Sequence, residues 1–148
     1  IISSWGENVY VKIPIINTRY ESSIILINEL SNSIKVNVTA VTHPKQCERI
    51  FVWRAMIISI FAGRVADTGL DPKRFFSGPK TPGVEVLWAS PREVLNIYQA
   101  EEAGADIITV TPELLTKYWK MKGKDLNELS LETVKQFYDD AQASGFKL

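Results

Sequence analysis

NVYVKIPI, residues Asn8–Ile15, is an apolar run rich in strand-favouring side chains, and it carries one charge, Lys12, where a strand buried on both faces should have none. Side chains alternate along a strand, so Tyr10, Lys12 and Pro14 share one face and Val11 and Ile13 the other. The strand by itself leaves two readings open. Lys12 is either an edge residue extending its ammonium to solvent or an amine set inside an apolar wall. In the second case the ammonium loses solvation, which favours the neutral amine that attacks a carbonyl.

Outward from this stretch, similar segments recur at a steady interval: IKVNVTAV near residue 34, IISIFAG near 57, VEVLWAS near 84 and ADIITV near 105. The gaps read as helices. Leu26, Ile27 and Leu30 form a helical stripe in the first, Cys47, Ile50 and Phe51 in the second, and Val94, Leu95, Ile97 and Tyr98 in the fourth. SPRE at Ser90–Glu93 has the pattern of a capping box with proline at the first helical position, and TPELL from Thr111 repeats the hydroxyl-then-proline start. A last helix is predicted from Ser130, ending at Gly145. Between Gly69 and Gly83, LDPKRFFSGPKTP leaves room for about one helical turn.

Strands buried on both faces and alternating with helices predict a parallel sheet with right-handed crossovers. The regular spacing favours an α/β fold of the (β/α)₈ TIM-barrel type over an open doubly wound sheet. Such a barrel has eight strands and roughly 250 residues. Five units are visible here, so an incomplete barrel is expected, with residues 1–148 as a single domain. The start at Ile1, without a basic leader, suggests the middle of a longer protein. If three more strands do not precede it, two open sheet edges would favour association, for instance as a homo-oligomer.

Composition narrows the function. Seventeen basic and seventeen acidic residues balance without a block of one sign, so neither a nucleic acid nor a membrane surface is an expected partner. The longest nearly unbroken apolar run, Ala55–Ala62, is too short to span a bilayer. One cysteine, Cys47, rules out an internal disulfide framework and suits the cytoplasm, and with the lone His43 it makes no usual zinc site. No metal or organic cofactor is expected.

Alternation on the other strands gives each of them a polar group on one face. Lys35, Asn37 and Thr39 share a face on the second, Ile57, Ser59 and Phe61 on the third, and Trp88 and Ser90 on the fourth. Polar groups converging in an apolar wall at the carboxyl ends of barrel strands describe a small-molecule site.

In order and spacing, VYVKIP, VNVTAV, SIFAGRVADTG, LWASPRE and DIITVTPELL resemble the transaldolase and fructose-6-phosphate aldolase family over essentially the whole chain. The resemblance implies a class I aldolase barrel of which these are the last five strands, acting on sugar phosphates in carbohydrate metabolism such as the pentose phosphate pathway. It implies that Lys12 forms a Schiff base with the ketose carbonyl. Thr39 would help to position a catalytic water, Asn37 and Ser59 would contact substrate, and Phe61 would lie beside the imine. Arg64, Ser90 and Arg92 would bind phosphate. Phenylalanine at 61, where simple aldolases of the family carry tyrosine, tilts the reading towards group transfer.

Elementary chemistry supports these roles, and blander ones stay open. Arginine forks suit phosphate, and amides at a helix start can face an anion. Ser90 could equally be a plain cap, Arg64 a loop partner of Asp67, Asn37 and Thr39 hydrogen-bonded filler, and Phe61 a core aromatic. The family's aspartate, asparagine and glutamate on the first three strands have no counterpart after Ile1, and Glu21, Glu48 and Asp67 lie off the inner strand faces. Loss of positioned acid–base groups costs about 10²- to 10⁴-fold. The expected function is transfer of a dihydroxyacetone unit between a ketose phosphate donor and an aldose phosphate acceptor; the alternative is a truncated barrel that binds sugar phosphates without turnover.

Overall fold

A computed structural model describes residues 1–50, 57–78 and 81–145, with residues 48–50 described for the backbone only. These residues form two compact units, Ile1–Leu114 and Leu115–Leu148.

The first unit is built on five parallel strands, β1 (Val11–Pro14), β2 (Val36–Val41), β3 (Ile57–Ile60), β4 (Glu85–Trp88) and β5 (Ile107–Ile108). They pair strictly in chain order, β1-β2-β3-β4-β5. Among the described residues the order never reverses, so they contain no switch point of the doubly wound kind. Helices α1 (Ile24–Ser31), α2 (Pro44–Ile50), α3 (Ala62–Ala66) and α4 (Leu95–Glu102) follow the first four strands, and α5 (Pro112–Met121) follows β5. These are five consecutive units of a (β/α)₈ barrel. All five predicted strand segments contain an observed strand.

The outer face of the sheet holds the main core. Val36, Val38, Val41, Ile58, Ile60 and Trp88 are fully buried there and pack with Ile13, Ile27, Cys47, Val65 and Phe75. A fully buried aliphatic or aromatic side chain contributes about 1.5–3 kcal/mol, so this layer is the main source of stability. Trp88 stacks on Phe76 with ring centroids 5.1 Å apart. The inner face carries a smaller cluster of Ile57, Leu87 and Ala89, flanked by Tyr10, Phe61 and Ile107.

Several element ends differ from the sequence reading. The helix expected at SPRE starts at Leu95, because Ser90 takes a left-handed conformation (φ 60°) that turns the chain away from a helix. The stripe position Ile27 is buried as predicted, whereas Leu26 is half-exposed; Phe51 and the side chain of Ile50 fall outside the described residues. One turn of 3₁₀ helix, Pro72–Phe75, fills the short connection before β4, with Asp71 capping the N–H of Lys73. Thr111 Oγ1 accepts from the N–H of Leu114, making the hydroxyl-then-proline start of α5.

The second unit contains α6 (Leu126–Ala143), which begins four residues before the expected Ser130. Asp125 sets that start by accepting from the N–H groups of Asn127 and Glu128 at 2.8 and 3.1 Å. Lys124 pairs with Glu132, and Gly145 follows the helix in the left-handed region expected of a C-terminal stop. Leu131, Val134, Phe137 and Tyr138 are exposed on α6. Among the described residues, no helix is long and apolar enough to cross a membrane.

Candidate active site

Register places the inner-face residues in rows. Lys12 aligns with Asn37, Asn37 with Ile57, and Ile57 with Glu85. One step along, Pro14 aligns with Thr39, Ser59 with Leu87, and Leu87 with Ile107. Lys12, Asn37, Ser59 and Phe61 therefore share the inner face, and Lys35 joins them with its Nζ 5.6 Å from the Tyr10 ring centroid. Ser59 and Asn37 are buried and joined: Ser59 Oγ donates to Asn37 Oδ1 at 2.7 Å. That bond orients the carboxamide and leaves Nδ2 without a protein partner among the described residues. A substrate oxygen beside Lys12 can accept from it.

Of the two readings open for Lys12, the structure shows the exposed one: among the described residues β1 pairs on one side only, with β2. One expectation about this face needs correction. Trp88 does not share the face of Ser59; it is buried in the outer core, and Leu87 and Ala89 take the inner positions. The parity error hid Glu85, a carboxylate in the Lys12 row. Alternation counted from Val84 through VEVLWA would have revealed it. Three strand spacings of about 4.8 Å put it roughly 14 Å from Lys12 along a flat sheet.

The carboxyl ends of β2 and β4 are bent. The β2–β3 register shifts between Val38 and Val41, with Ala40 left-handed at φ 60°, so Thr39 and Ala40 are both half-buried at the rim. Left-handed non-glycine residues cost of order 1–3 kcal/mol and gather at functional sites. After β4, Ser90 is left-handed as well, and its carbonyl sits so close to Gly63 that a Cβ there would lie 1.5 Å from it. Glycine is thus required where α3 meets the β4 end, and the Gly63 N–H donates to the Ala89 carbonyl at 3.2 Å.

The two arginines occupy this same rim. Arg64 places its guanidinium 5.0 Å from the centroid of the half-buried Phe61 ring. Arg92 donates to Asp67 Oδ2 at 2.9 Å, so Asp67, considered as a partner for Arg64, pairs with Arg92 instead. Ser90 does not open a helix, and the N–H groups of Arg92 and Glu93 are taken by Asn96 Oδ1 at 2.7 and 3.1 Å. The N–H groups of Arg92 and Glu93 are therefore not open to an anion. The side chains of Arg64, Ser90 and Arg92 lie at the ends of β3 and β4, two and three strands from Lys12.

A cavity of about 520 Å³ lies beside the ends of β1 and β2, lined by Ile15, Tyr20, Ser22, His43 and Gln46 among others. Its wall includes the β1–α1 loop, in which Asn17 Oδ1 accepts from the N–H groups of Arg19 and Glu21. Arg19, with help from Asn17, holds the Glu21 carboxyl below its usual range. Glu21 is thereby committed to the loop, and the side chain of Glu48 falls outside the described residues.

Polar side chains confined to one face and one end of an in-order parallel β/α sheet define the class: a barrel-type α/β protein with its chemistry at the strand ends. All 148 residues match the family model described as Transaldolase/Fructose-6-phosphate aldolase, and the chain belongs to that family. It is 30% identical over 149 residues to a probable transaldolase of Nitrosopumilus maritimus, covering 96% of this chain and 64% of that relative. It is 32% identical over 125 residues to a probable transaldolase 2 of Listeria monocytogenes, covering 80% and 56%. A probable transaldolase of Bdellovibrio bacteriovorus is 31% identical, covering 94% and 63%. The chain thus spans just over half to just under two thirds of these curated relatives.

Proposed function

We propose that Lys12 is the nucleophile of a transaldolase-type reaction on sugar phosphates. The observation that supports the reading is the alignment of Lys12 with Asn37, whose carboxamide oxygen is engaged by Ser59 so that its amide nitrogen is left as the donor. The amine of Lys12 adds to the carbonyl of a ketose phosphate, and loss of water from the carbinolamine gives an iminium. Cleavage of the adjacent carbon–carbon bond sends its electron pair into the iminium, forming an enamine. The hydroxyl on the departing carbon gives up its proton to a water and becomes the carbonyl of the released aldose phosphate. The enamine then adds to a second aldehyde, and hydrolysis frees Lys12.

Thr39, at the bent end of β2, is suited to hold the water that enters and leaves. Phe61 supplies an apolar wall without a hydroxyl, which favours transfer of the dihydroxyacetone unit over its release to water. Arg64, Ser90 and Arg92 anchor the phosphate at the rim, a guanidinium holding phosphate oxygens bidentately. Residues 1–148 act in this reading as one functional domain of a cytoplasmic enzyme.

The exposure of Lys12 and the distance to Glu85 favour a second reading, in which this chain binds sugar phosphates without turnover. The two are separated by following transfer from fructose 6-phosphate to an aldose phosphate acceptor. Transfer that disappears in Lys12→Met supports the first; phosphate-selective binding with no transfer supports the second.

A further inference from the structure

Two strand ends are built by one device. Within the last residues of β2, Ala40 is left-handed, and the carboxamide of Gln46, at the sixth residue after it, accepts from the N–H groups of Thr42 and His43, both at 3.0 Å. After β4, Ser90 is left-handed, and Asn96, again at the sixth residue, accepts from the N–H groups of Arg92 and Glu93. Two donors converging on one atom identify it as the carboxamide oxygen. Asn96 is only 5% exposed, and its Nδ2 donates to Gln99 Oε1 at 2.9 Å, so both ends of the side chain are engaged.

The geometry points to Asn96 as a positioning residue for phosphate recognition, an inference that rests on Ser90 and Arg92 contacting the phosphate. Asn96 touches no ligand. It consumes the two N–H groups that would otherwise pull the turn into alternative hydrogen bonds, and so holds Ser90 in its left-handed conformation against Gly63 and keeps Arg92 beside Asp67. Without the brace, the N–H groups of Arg92 and Glu93 seek water or other carbonyls, the Ser90 turn relaxes, and the guanidinium loses its fixed origin.

Calorimetry with fructose 6-phosphate, fructose and inorganic phosphate tests this, alongside reductive trapping of phosphate-free dihydroxyacetone on Lys12. Asn96→Ala is expected to weaken both phosphate probes about tenfold, the equivalent of 1.4 kcal/mol, and to leave trapping unchanged. Gln46→Ala removes the matching brace from the other strand end and should leave inorganic phosphate within about twofold of wild type. Unchanged phosphate affinity in Asn96→Ala, or an equal loss of affinity and trapping, overturns the assignment. If Asn96→Ala does not fold, Asn96→Leu, which keeps the volume of the side chain but removes the oxygen that accepts from both N–H groups, must still weaken phosphate binding; no change there overturns it. A wild-type chain that traps no dihydroxyacetone but prefers fructose 6-phosphate over fructose, and loses that preference in Asn96→Ala, leaves the positioning role standing while the Lys12 reading falls. A wild-type chain that binds neither phosphate probe overturns the inference itself.

Discussion

Replacing Ser59 with alanine removes one hydroxyl from a fully buried position and leaves Asn37 Oδ1, itself in a residue 5% exposed, without the donor it has at 2.7 Å. A buried acceptor stripped of its partner costs about 1–3 kcal/mol. Ser59→Ala should therefore lower unfolding stability in urea by about 1–3 kcal/mol. Asn37→Ala acts differently, since the Ser59 hydroxyl can rotate towards a strand carbonyl, and most of its cost comes from lost volume. The double mutant isolates the bond: the two effects should fall short of additivity by about 1 kcal/mol. Additivity within about 0.3 kcal/mol would refute the claim that Ser59 sets the orientation of Asn37.

Ile58 is fully buried in the outer core, and Ile58→Ala should cost about 2–5 kcal/mol in the same urea experiment. Gly63→Ala would drive a Cβ to 1.5 Å from the Ser90 carbonyl, so it should destabilise by about 1–3 kcal/mol or more and weaken selection of phosphorylated over plain fructose; an unchanged preference would uncouple the α3 start from the β4 end. Asp125 caps α6, and the N–H groups of Glu128 first and Asn127 next hold its carboxyl below the ordinary 3.8. A lowered folded value means stabilisation that is present above 3.8 and lost as pH falls through the folded value, so helicity in an acid titration by circular dichroism should drop below that point in wild type and lack this step in Asp125→Ala.

The sheet was legible because a parallel strand covered on its outer face must be apolar at every second position at least, and Val36, Val38, Ile58, Ile60 and Val86 satisfy this without ambiguity. Parity held on β1, β2 and β3, where the chain stays extended through the polar residue of interest. It failed on β4. There the left-handed turn at Ser90 breaks the alternation, and counting back from Ser90 assigned Trp88 to the wrong side and hid Glu85. Local capping patterns had the same limit. SPRE satisfies the capping-box template, yet the turn is braced from further along by Asn96, a buried partner that no i-to-i+3 pattern announces. By contrast, Asp125 and Glu128 in KDLNEL form a legible start for α6, missed because the hydroxyl of Ser130 drew the boundary. The strand by itself left Lys12 between exposure and burial, since the outcome depends on what lies across the inner face and beside β1.

The most direct measurement of the central claim is the site of covalent capture. The chain is incubated with fructose 6-phosphate, reduced with borohydride, digested and mapped by mass spectrometry. The account predicts a reduced sugar adduct on the peptide that contains Lys12, absent from Lys12→Met and abolished when borohydride is added before the substrate. An adduct on another lysine such as Lys35, or one that persists in Lys12→Met, would contradict it.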